Sequence, residues 1–216
     1  MIILYGLPVS TFTAKLRLAL HWRGIAYEER EPDGGYRSQA WRQKVPMGTI
    51  PAIEHEGFFL AESEAILEYL EDAFGQRRLL PEDAQQRARV RMLARLHDLH
   101  VEPRVRALFP LIRQRDLRPQ LPALLAALQD KLERLGEVVQ PGPYMAGPAP
   151  SLADCGFAVS LPLAHRLLEV LGHSLSLPPV LAPWTEAMAK DASAQAALSP
   201  WRQATESWLQ MATPSS

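Results

Sequence analysis

Two kinds of hydrophobic periodicity divide this chain, and the change between them limits the folds it can adopt. Up to about residue 75, short apolar runs alternate with helical patterns, whereas from about residue 84 onward apolar residues recur only at helical spacing. The first part predicts the order β-α-β-α-β-β-α, a parallel βαβ unit followed by a hairpin and a helix. We therefore expect an α/β domain followed by an all-α domain.

The predicted strands are bounded by clear turn signals. The runs IILY and IAYEERE are expected strands, and PAIEH and GFFLA are expected to pair across the turn Glu56-Gly57. A charged, proline-containing stretch over residues 77–86 is typical of a linker. The expected domains are therefore residues 1–76 and 87–216.

The second part contains helical patterns rich in leucine, alanine and arginine. Pro103, Pro110 and Pro162 fall inside these patterns, so kinks are expected there. Two shorter helices are predicted over residues 180–190 and 200–210.

A dense proline and glycine loop over residues 140–151 precedes another helix start. Ser151 and Asp154 have the spacing of a capping box, which favours a structural role for both residues. Cys155 follows on the same helix, where a buried small apolar residue is the favoured interpretation.

Composition excludes several classes of function. A net charge of -1 gives no reason to expect a nucleic-acid partner, and no apolar run is long enough for a transmembrane helix. The N-terminal residues lack the organisation of a signal peptide. A single cysteine fits a reducing, cytoplasmic location. His97 and His100 are spaced for one helix face, but the six histidines show no metal-binding spacing, so no metal is expected.

The segment GTIPAIEHEGFFLAESEAI carries two unusual features. Pro51 lies at the start of a predicted strand, which is permitted for a trans proline at a sheet edge and also for a cis Ile50-Pro51 bond. Glu62 and Ser63 lie at a helix start, where they could cap the helix or contribute to an anion site. The residues alone leave both alternatives open.

Together these segments resemble the glutathione S-transferase superfamily, in its serine-type members (phi, zeta and bacterial-like). The resemblance covers almost the whole chain and rests on the order of the domains and on the segments LYGLPVSTFTAKLRLALHWRGIAYE, VPMGTIPAIEHEGFFLAESEAILEYLE and YMAGPAPSLADC. It implies a thioredoxin-like N-terminal domain and an all-α C-terminal helical bundle. The implied activity is a glutathione transferase that activates the glutathione thiolate for attack on small hydrophobic electrophiles.

The resemblance also implies which residues bind glutathione, the co-substrate. A cis Ile50-Pro51 bond would present the backbone of Ile50 to the cysteinyl part of the tripeptide by strand addition. Ser63 would hold the γ-glutamyl carboxylate at a helix N-terminus, and Glu62 would hold the γ-glutamyl ammonium group. Arg37 and Lys44 are the candidates for the glycyl carboxylate.

Ser10 corresponds to the catalytic hydroxyl of serine-type transferases. The expected role is a hydrogen bond to the thiolate, with Thr11 as the alternative donor, although Ser10 could also serve only as a helix cap. The loop after the first strand and the helical periodicity of the second domain indicate the candidates for the electrophile site. For the apolar members, core packing is the alternative. The complete set of electrophile-site candidates is Leu7, Val9, Phe12, His100, Arg104 and Leu108.

Other functions on this fold stay open. A glutathione-dependent reductase or peroxidase is one alternative, and a non-catalytic binding module is another. An isomerase is disfavoured because the zeta-class Ser-Ser-Cys run is Ser10-Thr11-Phe12 here. By analogy with the family, we expect a cytoplasmic homodimer that acts in detoxification.

Overall fold

The computed structural model describes residues 1–139 and 142–212, which group into two compact units. The first unit contains Met1–Leu80 together with Ala192–Ala204. The second contains the described residues of Pro81–Asp191 together with those from Thr205 to Ala212. One long C-terminal helix is therefore divided between the two groups.

The first unit is built on a four-stranded sheet in the order β2-β1-β3-β4. The strands are β1 (Ile2–Tyr5), β2 (Tyr27–Arg30), β3 (Ala52–His55) and β4 (Phe58–Ala61). β1 runs parallel to β2, and β3 is antiparallel to both β1 and β4. The helices of this part are α1 (Thr11–Arg23), α2 (Gln39–Lys44) and α3 (Ser63–Ala73), which confirms the predicted β-α-β-α-β-β-α order.

The turn between β3 and β4 has the backbone conformation that its sequence predicts. Glu56 and Gly57 both have positive φ, at 52° and 82°. Two successive left-handed residues match the right-handed twist of the flanking strands, so the hairpin register is set by this turn. His55 consequently lies opposite Phe58.

Two ion pairs join α1 to α3. Lys15, which is almost fully buried, contacts Glu64 in the first turn of α3. At the other end, Arg23 Nη1 donates to Glu71 Oε1 at 2.8 Å. The Glu71 carboxylate also accepts from the backbone amides that follow α3, at 3.0 and 3.2 Å. Each buried charge of this α1–α3 contact therefore has a partner, as burial requires.

Within its described residues the second unit is built from helices joined by turns and loops, with one isolated β-bridge between Tyr144 and Gly147. Its α-helices are α4 (Ala84–Leu96), α5 (Glu102–Arg106), α6 (Phe109–Arg113), α7 (Leu121–Val138), α8 (Leu152–Val170) and α9 (Ala182–Lys190). A π-helical turn over His97–Val101 joins α4 to α5, and 3₁₀ turns lie at Arg115–Gln120 and Pro179–Leu181. The last helix is α10 (Ala192–Ala212). Within residues 1–139 and 142–212, no helix is long and apolar enough to cross a membrane.

Three prolines behave differently from the sequence prediction. Pro103 and Pro110 lie in the first turns of α5 and α6, so they begin new helical segments instead of kinking one helix. Pro200 lies inside α10, which starts at Ala192, so the prediction of a helix beginning at residue 200 is wrong. Pro162, by contrast, lies inside α8 as the periodicity indicated.

The capping box predicted for α8 is confirmed. The Asp154 carboxylate accepts from the backbone amide and hydroxyl of Ser151, at 2.8 and 2.7 Å. The amide of Met145 and the indole of Trp184 donate to its other oxygen, at 2.8 and 2.9 Å. Burial raises the pKa of Asp154, and these four donors oppose that effect. Residues 140 and 141 of the loop predicted before α8 lie outside the described residues.

A buried polar network explains His97. Its ring contacts Asp98 Oδ1 at 2.7 Å and Ser160 Oγ at 2.8 Å, and Ser160 in turn donates to Glu102. The ring lies against Gly156, where an added Cβ would be 2.4 Å from Nδ1. In the described part of the chain, no group of three or more potential ligands could hold a metal ion.

Candidate functional site

The strand register brings the predicted glutathione-binding segments to one end of the sheet. Tyr5, the last residue of β1, lies opposite Ala52, the first residue of β3. Ala52 in turn lies opposite Ala61, the last residue of β4. The segments just beyond this row are the loop before α1, the turn before β3 and the start of α3, so these three segments meet.

The end of β2 joins the same row. Arg30 lies opposite Tyr5, and the amide of Gly6 donates to the Arg30 carbonyl at 2.9 Å. The chain then leads from β2 toward α2, which carries Lys44. Two helix N-termini, those of α1 and α3, also begin at this end of the sheet. Their free amides and dipoles favour a negatively charged ligand.

Ser10 is the N-cap residue of α1 and is half-buried. Its Oγ accepts from the Thr13 amide at 3.2 Å. Accepting that bond leaves the hydroxyl hydrogen available for donation to a second group. Thr11 is more enclosed, with 7% of its surface exposed. Both predicted roles of Ser10, helix cap and hydrogen-bond donor, are therefore compatible in one hydroxyl.

Tyr5 carries a further hydroxyl near the start of α1, and this one is engaged by another residue. Its phenol donates to Glu54 Oε2 at 3.0 Å. Burial, and then this contact with Glu54, raises the pKa of Tyr5, so the phenol stays neutral. This geometry favours a serine or threonine over the tyrosine as donor to a thiolate.

The Ile50-Pro51 peptide bond is cis, as the family resemblance implied. Pro51 is buried and Ile50 is half-buried. Across the described ranges, the amide and carbonyl of Ile50 have no hydrogen-bond partner. This backbone position can therefore pair with an extended peptide.

Glu62 has an unusual backbone conformation for a side-chain-bearing residue. Its φ is 72° and its ψ is 113°, and although it occupies the N-cap position of α3, its side chain caps nothing. Strained residues of this kind persist where the surrounding structure holds them, often at functional sites. Ser63 follows with 8% of its surface exposed. Neither its hydroxyl nor the Glu62 carboxylate has a partner in the part of the chain that the structure describes. The Glu62 side chain therefore does not cap α3, which was one of the two alternatives for this residue.

Arg37 and Lys44 are both exposed cations in the α2 region. The Arg37 guanidinium lies over the Tyr36 ring, 5.2 Å from its centroid. Lys44 Nζ lies 5.6 Å from the centroid of Tyr5. Neither forms an ion pair with an acidic residue within the described ranges, so both charges can meet a carboxylate.

In the first unit, the electrophile-site candidates are accessible to different degrees. Leu7 and Phe12 are half-buried, and Val9 has 36% of its surface exposed. Lys15 Nζ lies 5.9 Å from the centroid of the Phe12 ring. All three side chains belong to the loop and first turn that carry Ser10.

In the second unit, the candidates divide between surface and core. His100 is exposed, and Arg104 is partly buried with its Nη1 donating to the Leu99 carbonyl at 3.3 Å. Leu108 is 0% exposed. It packs in the helical core, as the alternative reading of its periodicity allowed, so we leave it out of the proposed site.

Two residues near this end of the sheet were missed by sequence reasoning. Trp41 is buried and its Nε1 donates to the Thr49 carbonyl at 2.8 Å, next to Ile50. Lys15 neutralises Glu64 at the start of α3. The available signal for Trp41 was a lone tryptophan in a short helix. Its hydrogen-bond acceptor, the Thr49 backbone carbonyl, has no sequence signature.

Comparison with known proteins gives three informative similarities and one family match. Residues 4–78 match the family model described as glutathione S-transferase, N-terminal domain. A Pseudomonas putida protein named glutathione S-transferase is 34% identical over 177 residues, covering 77% of this chain and 76% of the relative. Maleylacetoacetate isomerase of Rattus norvegicus is 32% identical over 171 residues, covering 76% and 78%. A solved structure of maleyl pyruvate isomerase, described as a bacterial zeta-class glutathione S-transferase, has a TM-score of 0.72 at 28% identity and covers 92% of this chain and 97% of its own.

Proposed function

Because this chain belongs to the glutathione S-transferase family, we propose that the end of the sheet where α1 and α3 begin is its glutathione site and that Ser10 stabilises the thiolate. The chain is a glutathione transferase with the thioredoxin-like and helical parts of that fold. The single observation that carries the proposed site is the strand register, because it brings Ser10, Ile50 and Glu62 to one sheet end.

Each part of glutathione has a complementary group there. The free backbone amide and carbonyl of Ile50 pair with the cysteinyl residue, so that the extended tripeptide binds by strand addition. Ser63 and the free amides of α3 hold the γ-glutamyl carboxylate, while Glu62 holds the ammonium group. Arg37 and Lys44 supply positive charge for the glycyl carboxylate. Among residues 1–139 and 142–212, neither cation pairs with an acidic residue, which supports this assignment.

Ser10 acts on the thiol in this proposal. A free thiol has a pKa near 8.5, so lowering it by about two units requires about 2.7 kcal/mol of thiolate stabilisation. The Ser10 hydroxyl donates a charge-assisted hydrogen bond, and the N-terminus of α1 adds favourable potential. Thr11 is the second candidate donor, although its smaller exposed area favours Ser10.

The reaction is a nucleophilic attack by sulfur. The thiolate electron pair forms a bond to an electrophilic carbon, and the leaving group departs with the bonding pair, or a double bond accepts the charge and is then protonated. Leu7, Val9 and Phe12 supply apolar surface close to Ser10, which fits a small hydrophobic electrophile. His100 and Arg104, the candidates in the second unit, stay predictions; His100 is exposed and Arg104 is partly buried.

Glutathione-dependent isomerisation is the second candidate. Two relatives are named as isomerases of maleyl compounds, at 32% and 28% identity. Such a reaction requires thiolate addition to a conjugated double bond, rotation about the resulting single bond and expulsion of the same thiolate. Ser10 could stabilise the thiolate in this chemistry as in conjugation. Phe12 stands where the zeta-class run has its cysteine, which favours conjugation.

A homodimer would place opposite charges against each other. α3 carries four acidic residues and no basic ones; Glu64 and Glu71 pair with α1, and Asp72 is exposed, whereas α4 carries four arginines and no acidic residues. Exposed apolar side chains accompany them, with Met92 at 43%, Phe58 at 48% and Leu99 at 53% exposed. We propose that α3 of one protomer contacts α4 of its partner. A mass near the monomer value of 24.1 kDa by light scattering would contradict this.

A cytoplasmic role in detoxification completes the proposal. The single cysteine, Cys155, is buried and forms no disulfide, which fits a reducing compartment. Conjugation attaches a charged tripeptide to a small hydrophobic electrophile, which makes the compound water-soluble and consumes its reactive group.

The decisive experiment combines binding with product analysis. The purified protein is titrated with glutathione by calorimetry and then incubated with an aryl halide, an organic peroxide and a maleyl substrate. Accumulation of a thioether supports the transferase, oxidised glutathione supports a reductase, and conversion of the double bond without loss of glutathione supports the isomerase. Failure to bind millimolar glutathione would refute the proposed site.

A further inference from the structure

We propose that the indole N–H of Trp41 is a positioning group that holds the backbone at Ile50 in the geometry that binds glutathione. This inference rests on the proposed glutathione site. It concerns a residue that does not contact the ligand in the proposal. Trp41 instead acts through the turn between α2 and β3.

The turn is held by few contacts. The Val45 amide donates to the Trp41 carbonyl at 2.8 Å, and the Gly48 amide donates to the Val45 carbonyl at 2.8 Å. Beyond Gly48, the bond from Trp41 Nε1 to the Thr49 carbonyl, at 2.8 Å, is the one hydrogen bond before β3 within the described ranges. Thr49 is exposed and immediately precedes Ile50. This single donor is therefore the hydrogen bond that holds the backbone next to Ile50, whose side chain also packs against the cluster containing Trp41.

The indole ring itself is fixed by the sheet. Trp41 is 1% exposed and lies 5.3 Å from the Tyr5 ring and 5.8 Å from the Phe59 ring, measured between centroids. These two partners belong to β1 and β4, so the N–H projects from a rigid aromatic cluster. A donor that cannot move defines where its acceptor, the Thr49 carbonyl, must lie.

Trp41 also joins this turn to α2. Its backbone amide donates to Ser38 Oγ at 3.0 Å, and Ser38 Oγ donates to the Asp33 carbonyl at 2.8 Å. The same residue therefore contacts the N-cap of the helix that carries Lys44 and the turn that carries Ile50. Trp41 sets the spacing between the groups proposed for the glycyl carboxylate and for the cysteinyl backbone.

Loss of the N–H should weaken binding and leave the chemical step unchanged. Thr49 is an exposed residue, so in the variant its carbonyl is expected to bond to water, and the turn then samples other positions while the fold survives. If the competent position then accounts for about a tenth of molecules, the apparent Kd for glutathione rises about tenfold. The thiolate donor Ser10 lies on another element, so kcat at saturating glutathione should stay within about twofold.

The test is Trp41→Phe, which keeps an aromatic ring and removes the N–H. We expect the calorimetric Kd and the KM for glutathione to rise about tenfold with kcat within about twofold. Tyr5→Phe is the matched control, because it removes the hydrogen bond to Glu54 from the same cluster without touching the turn. Its KM should stay within about twofold of the wild type.

A closer substitution covers the case in which Trp41→Phe does not fold. Replacing Trp41 by β-(3-benzothienyl)alanine keeps the bicyclic shape and exchanges the N–H for sulfur, and it should reproduce the rise in KM. An unchanged KM in a folded variant, or a fall in kcat alone, overturns the inference while the glutathione site stands. A wild-type protein that does not bind glutathione overturns both.

Discussion

Ser10→Ala offers the most direct test of the proposed chemistry, because one hydroxyl has two separable roles. A hydrogen bond to a charged group contributes about 1.5–3 kcal/mol. Ser10 is half-buried, so the lower end of that range applies, which corresponds to about a tenfold loss in kcat/KM. The same loss should raise the pKa of bound glutathione by about one unit.

The cap role predicts a smaller effect on stability. Replacing a serine N-cap by alanine costs about 0.5–2 kcal/mol. The bond from the Thr13 amide is 3.2 Å, longer than the usual distance, so we expect the lower half of that range. Urea denaturation measures the loss of stability from the missing cap. Thiolate absorbance as a function of pH, and kcat/KM with an aryl halide, measure the loss of thiolate stabilisation.

Two matched variants separate the roles. Asp83→Ala removes the N-cap of α4, where the carboxylate accepts from the Gln86 amide at 2.9 Å, and should lower stability without changing the thiol pKa. Thr11→Ala should change kcat/KM by less than about twofold. The reasoning is refuted if Ser10→Ala leaves the thiol pKa unmoved, or if Thr11→Ala carries the loss instead.

Three further predictions concern strain, packing and charge. Glu62→Gly removes the cost of a side chain at φ 72°, so the free energy of unfolding should be unchanged or about 1 kcal/mol higher. The same substitution removes the proposed ammonium contact, so the KM for glutathione should rise about tenfold, and an unchanged KM would contradict that contact. Gly156→Ala places a Cβ 2.4 Å from Nδ1 of the buried His97, so overpacking should exceed the gain in helix propensity and lower the free energy of unfolding by about 1–2 kcal/mol. Gly75→Ala is the control, because an added Cβ there has no atom within 4 Å and should not lower the free energy of unfolding. Hydrogen bonds from Arg166 lower the pKa of Glu206, so this pair stabilises the fold above the unfolded glutamate pKa of about 4.3 and loses that contribution as the pH falls through the lowered folded value. Because both side chains are nearly half exposed, Arg166→Ala should cost less than about 1 kcal/mol at pH 7 and nearly nothing near pH 2, and a cost independent of pH would contradict the assignment.

Local chemistry explains why several features in both units could be predicted from the sequence. The β3–β4 hairpin depends on the two turn residues Glu56 and Gly57, and their backbone angles match the turn that the dipeptide predicts. The capping box of Ser151 and Asp154 is likewise a contact between residues three positions apart. Such features need no knowledge of distant packing.

Features that depend on distant contacts were harder to predict. Periodicity alone cannot tell a helix face turned to a cleft from one turned to the core, and Leu108 proved to be core. Pro200 indicated a helix start, yet α10 continues through it from Ala192. Trp41 was missed because its acceptor is a backbone carbonyl eight residues away.

The division of α10 between the two groups has a consequence for the order of folding during synthesis. Residues 192–204 cluster with residues 1–80, although residues 81–191, the larger part of the helical unit, are translated between them. The N-terminal unit therefore emerges from the ribosome well before its last partner segment exists. Domains usually fold as they emerge, but here we expect the first unit to remain incomplete until α10 is released, so the glutathione-binding half would mature after translation has passed the helical half.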